Sequence, residues 1–82
     1  MKGEIYSKYL SFSVIYEAAP EGGYIAFVAS LPGCHTQGET LEEAEKNIKE
    51  AITLYLESLT EHKEPLPSNR RILQGIVEVA VS

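Results

Sequence analysis

The sequence predicts a small α+β domain with the order β-β-β-α-β: a three-stranded antiparallel meander, one long helix and a fourth strand. Three observations predict it. Apolar and polar residues alternate with period two over residues 10–18. Proline- and glycine-containing turns at 19–23 and 31–33 then separate this segment from two further β-prone ones. From residue 40, apolar residues recur at steps of three and four, the period of a helix with one buried face.

In the first strand, residues 10–18, Phe12, Val14, Tyr16 and Ala18 share one side, while Ser11, Ser13 and Glu17 share the other with Ile15. The pattern extends back toward Tyr6, interrupted by Lys8. Pro20 fixes one φ of the following turn, and Gly22 and Gly23 permit positive φ there. The second strand, residues 24–30, is apolar on both sides, as expected of a central strand. Leu31, Pro32 and Gly33 turn the chain into a short third strand over residues 34–37, which ends at Gly38. Gly38 is expected to take a φ that other residues avoid.

Thr40, Leu41, Glu42 and Glu43 form a capping box. The Thr40 hydroxyl is expected to accept the Glu43 N–H, and the Glu43 carboxylate to return to the Thr40 N–H. Leu41, Ala44, Ile48, Ala51, Ile52, Tyr55 and Leu59 make one apolar stripe. Glu42 with Lys46 and Glu45 with Lys49 supply acid-first i,i+4 pairs on the other side. His62 and Lys63 stand where the helix dipole favours cations, and Pro65 and Pro67 end the helix. A polar loop with Asn69, Arg70 and Arg71 leads to the fourth strand over residues 76–81.

Length and composition place residues 1–82 in a single domain. Twelve acidic against seven basic residues give a net charge of −5, which argues against direct nucleic-acid binding, since phosphate contacts need clustered Lys and Arg. A single cysteine excludes an internal disulfide and suits a reducing compartment. No secretory leader and no apolar run of membrane-spanning length is found, so a cytoplasmic protein without a membrane partner is expected.

The residues offer little chemistry. Cys34 and His35 are neighbours on a strand, so they point to opposite faces and cannot pair as nucleophile and base. One Cys and two His fall short of a structural zinc set, and the chain contains no Asp. The helix glutamates are accounted for by capping and by pairing with lysines. The glycines at 22, 23, 33 and 38 are turn glycines without the Lys-Ser/Thr of a phosphate loop. No enzyme activity, metal or cofactor is expected. One helix covers only one face of the sheet, and Leu54 and Leu56 lie off or at the margin of its stripe, so self-association as a dimer or tetramer, or a protein partner, is expected. Glu42, Glu45, Glu50, Leu54 and Leu56 are the candidate partner-binding residues.

The run Gly22-Gly23-Tyr24-Ile25-Ala26-Phe27-Val28, with Leu31-Pro32-Gly33-Cys34-His35-Thr36-Gln37-Gly38-Glu39-Thr40-Leu41-Glu42-Glu43-Ala44, closely resembles the HicB-like antitoxin family over residues 10–67. The resemblance implies a partial ribonuclease H-like domain that neutralises a HicA-like toxin, a small basic protein that cleaves mRNA. Fuller members carry a DNA-binding domain after this one. This sequence ends at Ser82 without it, so operator binding is not expected, and without aspartates neither is nuclease activity. Within the motif, Gly22, Gly23, Tyr24, Pro32, Gly33, Cys34, Gly38, Thr40, Glu43 and Ala44 read as turn, cap and core positions, with structural roles.

Overall fold

The computed structural model describes residues 10–67 and 72–82. Strands β1 (Val14–Ala18), β2 (Tyr24–Val28) and β3 (His35–Gly38) form an antiparallel sheet in the order β1-β2-β3, and α1 (Leu41–Glu61) follows. The expected extension of the first strand over residues 6–9 and the loop residues 69–71 lie outside the described residues. β1 is shorter than the alternating segment, because residues 10–13 approach the core without joining the ladder as a strand.

Register fixes which side chains face the helix. Val14 lies opposite Val28, Tyr16 opposite Ala26, and Ala26 in turn opposite Thr36. With period-two alternation this places Val14, Tyr16, Tyr24, Ala26 and Val28 on the α1 side. Ile15, Ile25 and Phe27 fall on the other. The core comprises Ala26, Val28, Leu31, Cys34, Ala44 and Ile48, with Phe12, Val14, Tyr16, Tyr24, Ala51, Ile52 and Tyr55 half-buried around it. Two turns hold the meander in place. Gly22 N–H donates to Ala19 O at 3.0 Å across Pro20 and Glu21, and Cys34 N–H donates to Leu31 O at 3.0 Å across Pro32 and Gly33. Gly33 has φ 83°, the value a type II turn demands at its third position and which glycine supplies without steric cost.

The helix start follows the sequence with one change. Thr40 is the N-cap, in extended conformation, and its Oγ1 accepts the Glu43 N–H at 3.1 Å. The Glu43 carboxylate, however, accepts from Glu39 N–H rather than from Thr40 N–H. It reaches one residue further back, where the chain leaves β3. At the far end, Glu64 N–H donates to Leu59 O at 2.8 Å and Lys63 N–H to Thr60 O at 3.1 Å, the paired bonds of a Schellman motif. Lys63 occupies the left-handed position with φ 58°, where glycine is the usual residue.

Gly38 is required for space, not for its φ. Among the described glycines, positive φ is confined to Gly22, Gly23 and Gly33. A Cβ on Gly38 would meet Ala44 N at 2.5 Å and Glu43 C at 2.8 Å, both backbone atoms that cannot rotate away. The first turns of α1 therefore lie directly against the end of β3, and Ala44 is fully buried there. Asn47 secures the contact, its Nδ2 donating to Gln37 O at 2.8 Å. Burial then declines along the helix. Ala44 and Ile48 are its only buried residues, and Leu41, expected in the apolar stripe, is 48% exposed because it precedes the overlap with the sheet. At 21 residues α1 is about 32 Å long, against about 17 Å for a five-residue strand, so its second half overhangs the sheet.

The expected fourth strand does not form within the chain. Residues 72–82 carry no regular secondary structure, and Ile76, Val77, Val79 and Val81 are 77–94% exposed. A β-prone sequence becomes a strand only beside another strand that takes its hydrogen bonds. In this chain the segment pairs with neither edge of the sheet.

Two substitutions separate space from capping at this junction. Thr40→Ala removes one hydrogen bond to an N-terminal amide and should cost about 0.5–2 kcal/mol. Gly38→Ala should cost more, about 3 kcal/mol, because the helix must shift off β3. Urea unfolding of both variants checks the order, and equal losses would mean that the α1 contact is not tight.

Candidate protein-interaction surface

Three surfaces surround the core. The first is an apolar groove between β1 and α1, of about 760 Å³, whose walls include Phe12, Val14 and Tyr16 on one side and Ile48, Ile52 and Leu56 on the other. It exists because α1 packs over β3 and β2 and leaves the β1 side uncovered. Glu45 and Lys49 stand at its rim, and Leu66, beyond the helix end, also lines it. Partial burial, and secondarily the negative charge of Glu45, hold the Tyr16 phenol in its protonated form beyond its usual range.

The second surface is the sheet face away from α1. Ile15 lies opposite Phe27 and Phe27 opposite His35, while Ile25 lies between Glu17 and Gln37. Ile25 is exposed and Phe27 half-buried, so the face is apolar at its centre and polar at its rim. The third is the outer side of α1, with Glu42 and Glu50 exposed and Leu54 65% exposed. Lys49, Glu50, Thr53 and Leu54 line one shallow hollow there.

The five candidate partner-binding residues are thus divided. Glu50 and Leu54 share the outer hollow, Glu45 and Leu56 line the groove, Leu54 and Leu56 also border a common hollow with Glu57 and Leu66, and Glu42 stands in the first turn beside Glu43. Helical spacing explains the division: at 100° per residue, positions 45 and 56 flank the apolar stripe on one side, position 54 flanks it on the other, and position 50 lies opposite it. Tyr16 and Leu66 were not singled out by sequence reasoning. Their place in the groove depends on how α1 crosses the sheet, which no local pattern encodes.

Cys34 and His35 point to opposite faces, as the strand geometry requires. Cys34 is 5% exposed in the core and His35 is exposed on the open sheet face. Burial raises the Cys34 thiol above its usual range, disfavouring the reactive thiolate. Among the described residues there is no group of three His, Cys, Asp or Glu arranged to hold a metal, and no helix long and apolar enough to cross a membrane.

The model of a family described as the HicB-like antitoxin of bacterial toxin-antitoxin systems matches residues 12–79. This chain belongs to the HicB-like antitoxin family. It is 47% identical over 66 residues to a UPF0150 protein of Synechocystis, spanning 80% of this chain and 84% of that one. A UPF0150 protein of Thermoplasma acidophilum is 48% identical over 58 residues, or 71% of this chain and 84% of the relative. A protein of Haemophilus phage HP1, encoded in a rep-hol intergenic region, is 44% identical over 66% of this chain and 41% of its own length.

Several of the residues that carried the HicB-like resemblance meet where the β1–β2 turn, the end of β3 and the start of α1 come together, while Pro32, Gly33 and Cys34 form the β2–β3 turn at the other end of the sheet. Gly22 and Gly23, with φ 107° and 80°, close the β1–β2 turn, and a Cβ on Gly23 would meet Gly38 O at 2.8 Å. The turn, the end of β3 and the start of α1 therefore interlock. Tyr24, Gly38 and Glu43 line the small hollow between them.

The Cys34 environment predicts slow chemistry and an alkaline limit. A thiol-reactive dye should label the native protein at least tenfold more slowly than the urea-unfolded chain. Cys34 and Tyr16 both have folded values above their unfolded ones, so their contribution to stability is complete below about pH 8.5. It is lost as pH rises toward the folded values, because the unfolded state releases its protons first. The urea midpoint should fall as pH rises above about 8.5, and Cys34→Ala should remove the earlier part of that fall.

Proposed function

We propose that this protein is a non-catalytic antitoxin module that binds a small, basic, HicA-like mRNA-cleaving toxin in the cytoplasm and neutralises it. Membership of the HicB-like antitoxin family supports the class of partner. The observation that carries the reading to this chain is charge: net −5, with glutamates exposed on the outer side of α1. An RNA-cleaving protein needs a basic surface to hold phosphates, and an acidic partner competes for that surface while being steered onto it.

Glu42 and Glu50 steer the encounter, and Leu54 offers the apolar contact beside Glu50. Glu45 and Leu56, at the groove, contribute to a contact that reaches around the helix margin. The protein acts without touching nucleic acid or membrane, without metal or cofactor, and as a dimer or tetramer. The open sheet face, with Ile25 and Phe27, is available for either kind of protein contact.

The test is association with a purified small, basic, HicA-like toxin. Binding should be fast at low salt and slow markedly as the Debye length shortens toward about 8 Å. Glu42→Lys with Glu50→Lys should lower the association rate about tenfold at low salt, with only a small loss of thermal stability from reversing a first-turn acid. Co-expression should relieve the growth arrest the toxin causes, and the double variant should relieve it less. A wild-type protein that neither binds nor rescues would overturn the antitoxin reading.

A further inference from the structure

The second half of α1 carries a face that the sheet does not use. Glu50, Leu54, Glu57 and Glu61 follow one another at steps of four, three and four residues, the spacing of a seam that packs against another helix. At 100° per residue the four lie within about 60° of one another, turned away from the side that holds Ala44 and Ile48. All four are exposed, Leu54 by 65%. Leu54, Glu57 and Glu61 border a hollow of about 620 Å³ that Leu66 closes at one side. Thr53 and Thr60 line it too, and their hydroxyls donate to Lys49 O at 2.9 Å and to Leu56 O at 3.1 Å. Their polar atoms are spent on the helix itself, so what they add to the hollow is apolar.

The charge on this face has one sign. Lys46 and Lys49 accompany the glutamates of the first half, but from Glu50 to Glu61 the helix has three Glu and neither Lys nor Arg. Its last turn holds no basic residue, although the dipole favours cations there. His62 follows as the C-cap, with Nδ1 of its ring 2.8 Å from Ser58 O. Among the described residues no hydrogen bond or ion pair engages the three carboxylates. Negative charge thus gathers at the negative end of the helix, an arrangement relieved by cations brought from outside.

We infer that this seam receives a basic amphipathic helix of a partner protein, antiparallel to α1, with Arg or Lys opposite Glu50, Glu57 and Glu61 and an apolar side chain against Leu54. The antiparallel course sets the positive N-terminal end of the partner helix beside the negative end of α1. Long Arg and Lys stems cover Leu54 and the threonine methyls while their heads reach the carboxylates. The overhang leaves room for this, since residues 50–61 extend over about 18 Å. A second copy of this chain does not fit, because it would set glutamate against glutamate along the seam. The inference rests on the antitoxin reading for the identity of the protein that carries the helix, and on the seam for its chemistry.

The test titrates the full chain with an alanine-based peptide of about 20 residues, long enough to be helical in water, with arginines and one leucine at the matching steps. Binding should weaken as salt is raised. Glu57→Lys with Glu61→Lys should lower the affinity at least about tenfold, and Leu54→Ala about threefold. Glu17→Lys with Glu21→Lys makes the same change of charge at exposed positions away from the seam and should lower it about twofold or less. The seam reversal puts cations at the helix C-terminus, so it should hold or raise the thermal midpoint, and lost binding is then not lost folding. A peptide that does not bind, or that the two reversals weaken equally, would overturn the seam and leave the antitoxin reading standing. A peptide that binds through the seam while the toxin fails to bind would support the seam and overturn the antitoxin reading alone. Binding that proceeds only by displacing a second copy, seen as a fall in sedimenting mass, would give the seam to self-association and overturn the inference.

Discussion

The fold depends on one backbone contact, where Gly38 at the end of β3 lies against Glu43 and Ala44 in α1. A side chain on either strand or helix would normally keep these backbones apart. With glycine on one side and the fully buried Ala44 on the other, the helix lies directly on the sheet within one turn of its start. The neighbouring hydrogen bonds serve the same junction: Thr40 caps the Glu43 amide, the Glu43 carboxylate holds Glu39 N–H, and Asn47 holds Gln37 O. Once the helix is fixed at this point its course over β3 and β2 is set, and β1 is left beyond its reach. The groove is thus a consequence of the tightness of the junction.

The core that results is small-grained. Its buried members include two alanines and a cysteine, and the larger aromatic side chains around it remain half-exposed. Complete burial of a Val, Leu or Ile contributes about 1.5–3 kcal/mol, and only a few residues here gain that in full. A domain of this length has about 4–12 kcal/mol of stability in total. Apolar surface left uncovered on the groove and the open sheet face is therefore a large part of what the molecule could still gain by association.

Most of the architecture was legible from local signals. Strand alternation placed Val14 and Tyr16 inside, the Pro-Gly turns placed the strand ends within a residue or two, and the Thr40 cap placed the helix start. What was not legible depended on tertiary approach. Gly38 looked like a conformational glycine because sequence cannot reveal that a helix backbone lies against it. Glu43 reaches Glu39 because the chain leaves β3 at an angle no capping pattern specifies. Residues 76–81 have strand composition, yet composition alone supplies no neighbour to take their hydrogen bonds. All five candidate contact residues are exposed or half-buried, and the turn of the helix spreads them over more than one surface.

The overhang of α1 gives the molecule two mechanical ends. Near Gly38 every helical turn is tied to the sheet by packing or by a side-chain hydrogen bond. Past Ile48 no helix residue is fully buried, and the terminal turn relies on its own Schellman bonds and on a left-handed Lys63. Opening free energies should accordingly grade downward along the helix, from values near global unfolding at Ala44 to shallow local fraying around Ser58. A protein gripping the free half would stiffen the compliant end while leaving the anchored end undisturbed. Its grip would be felt first as slower motion, well before any change of shape.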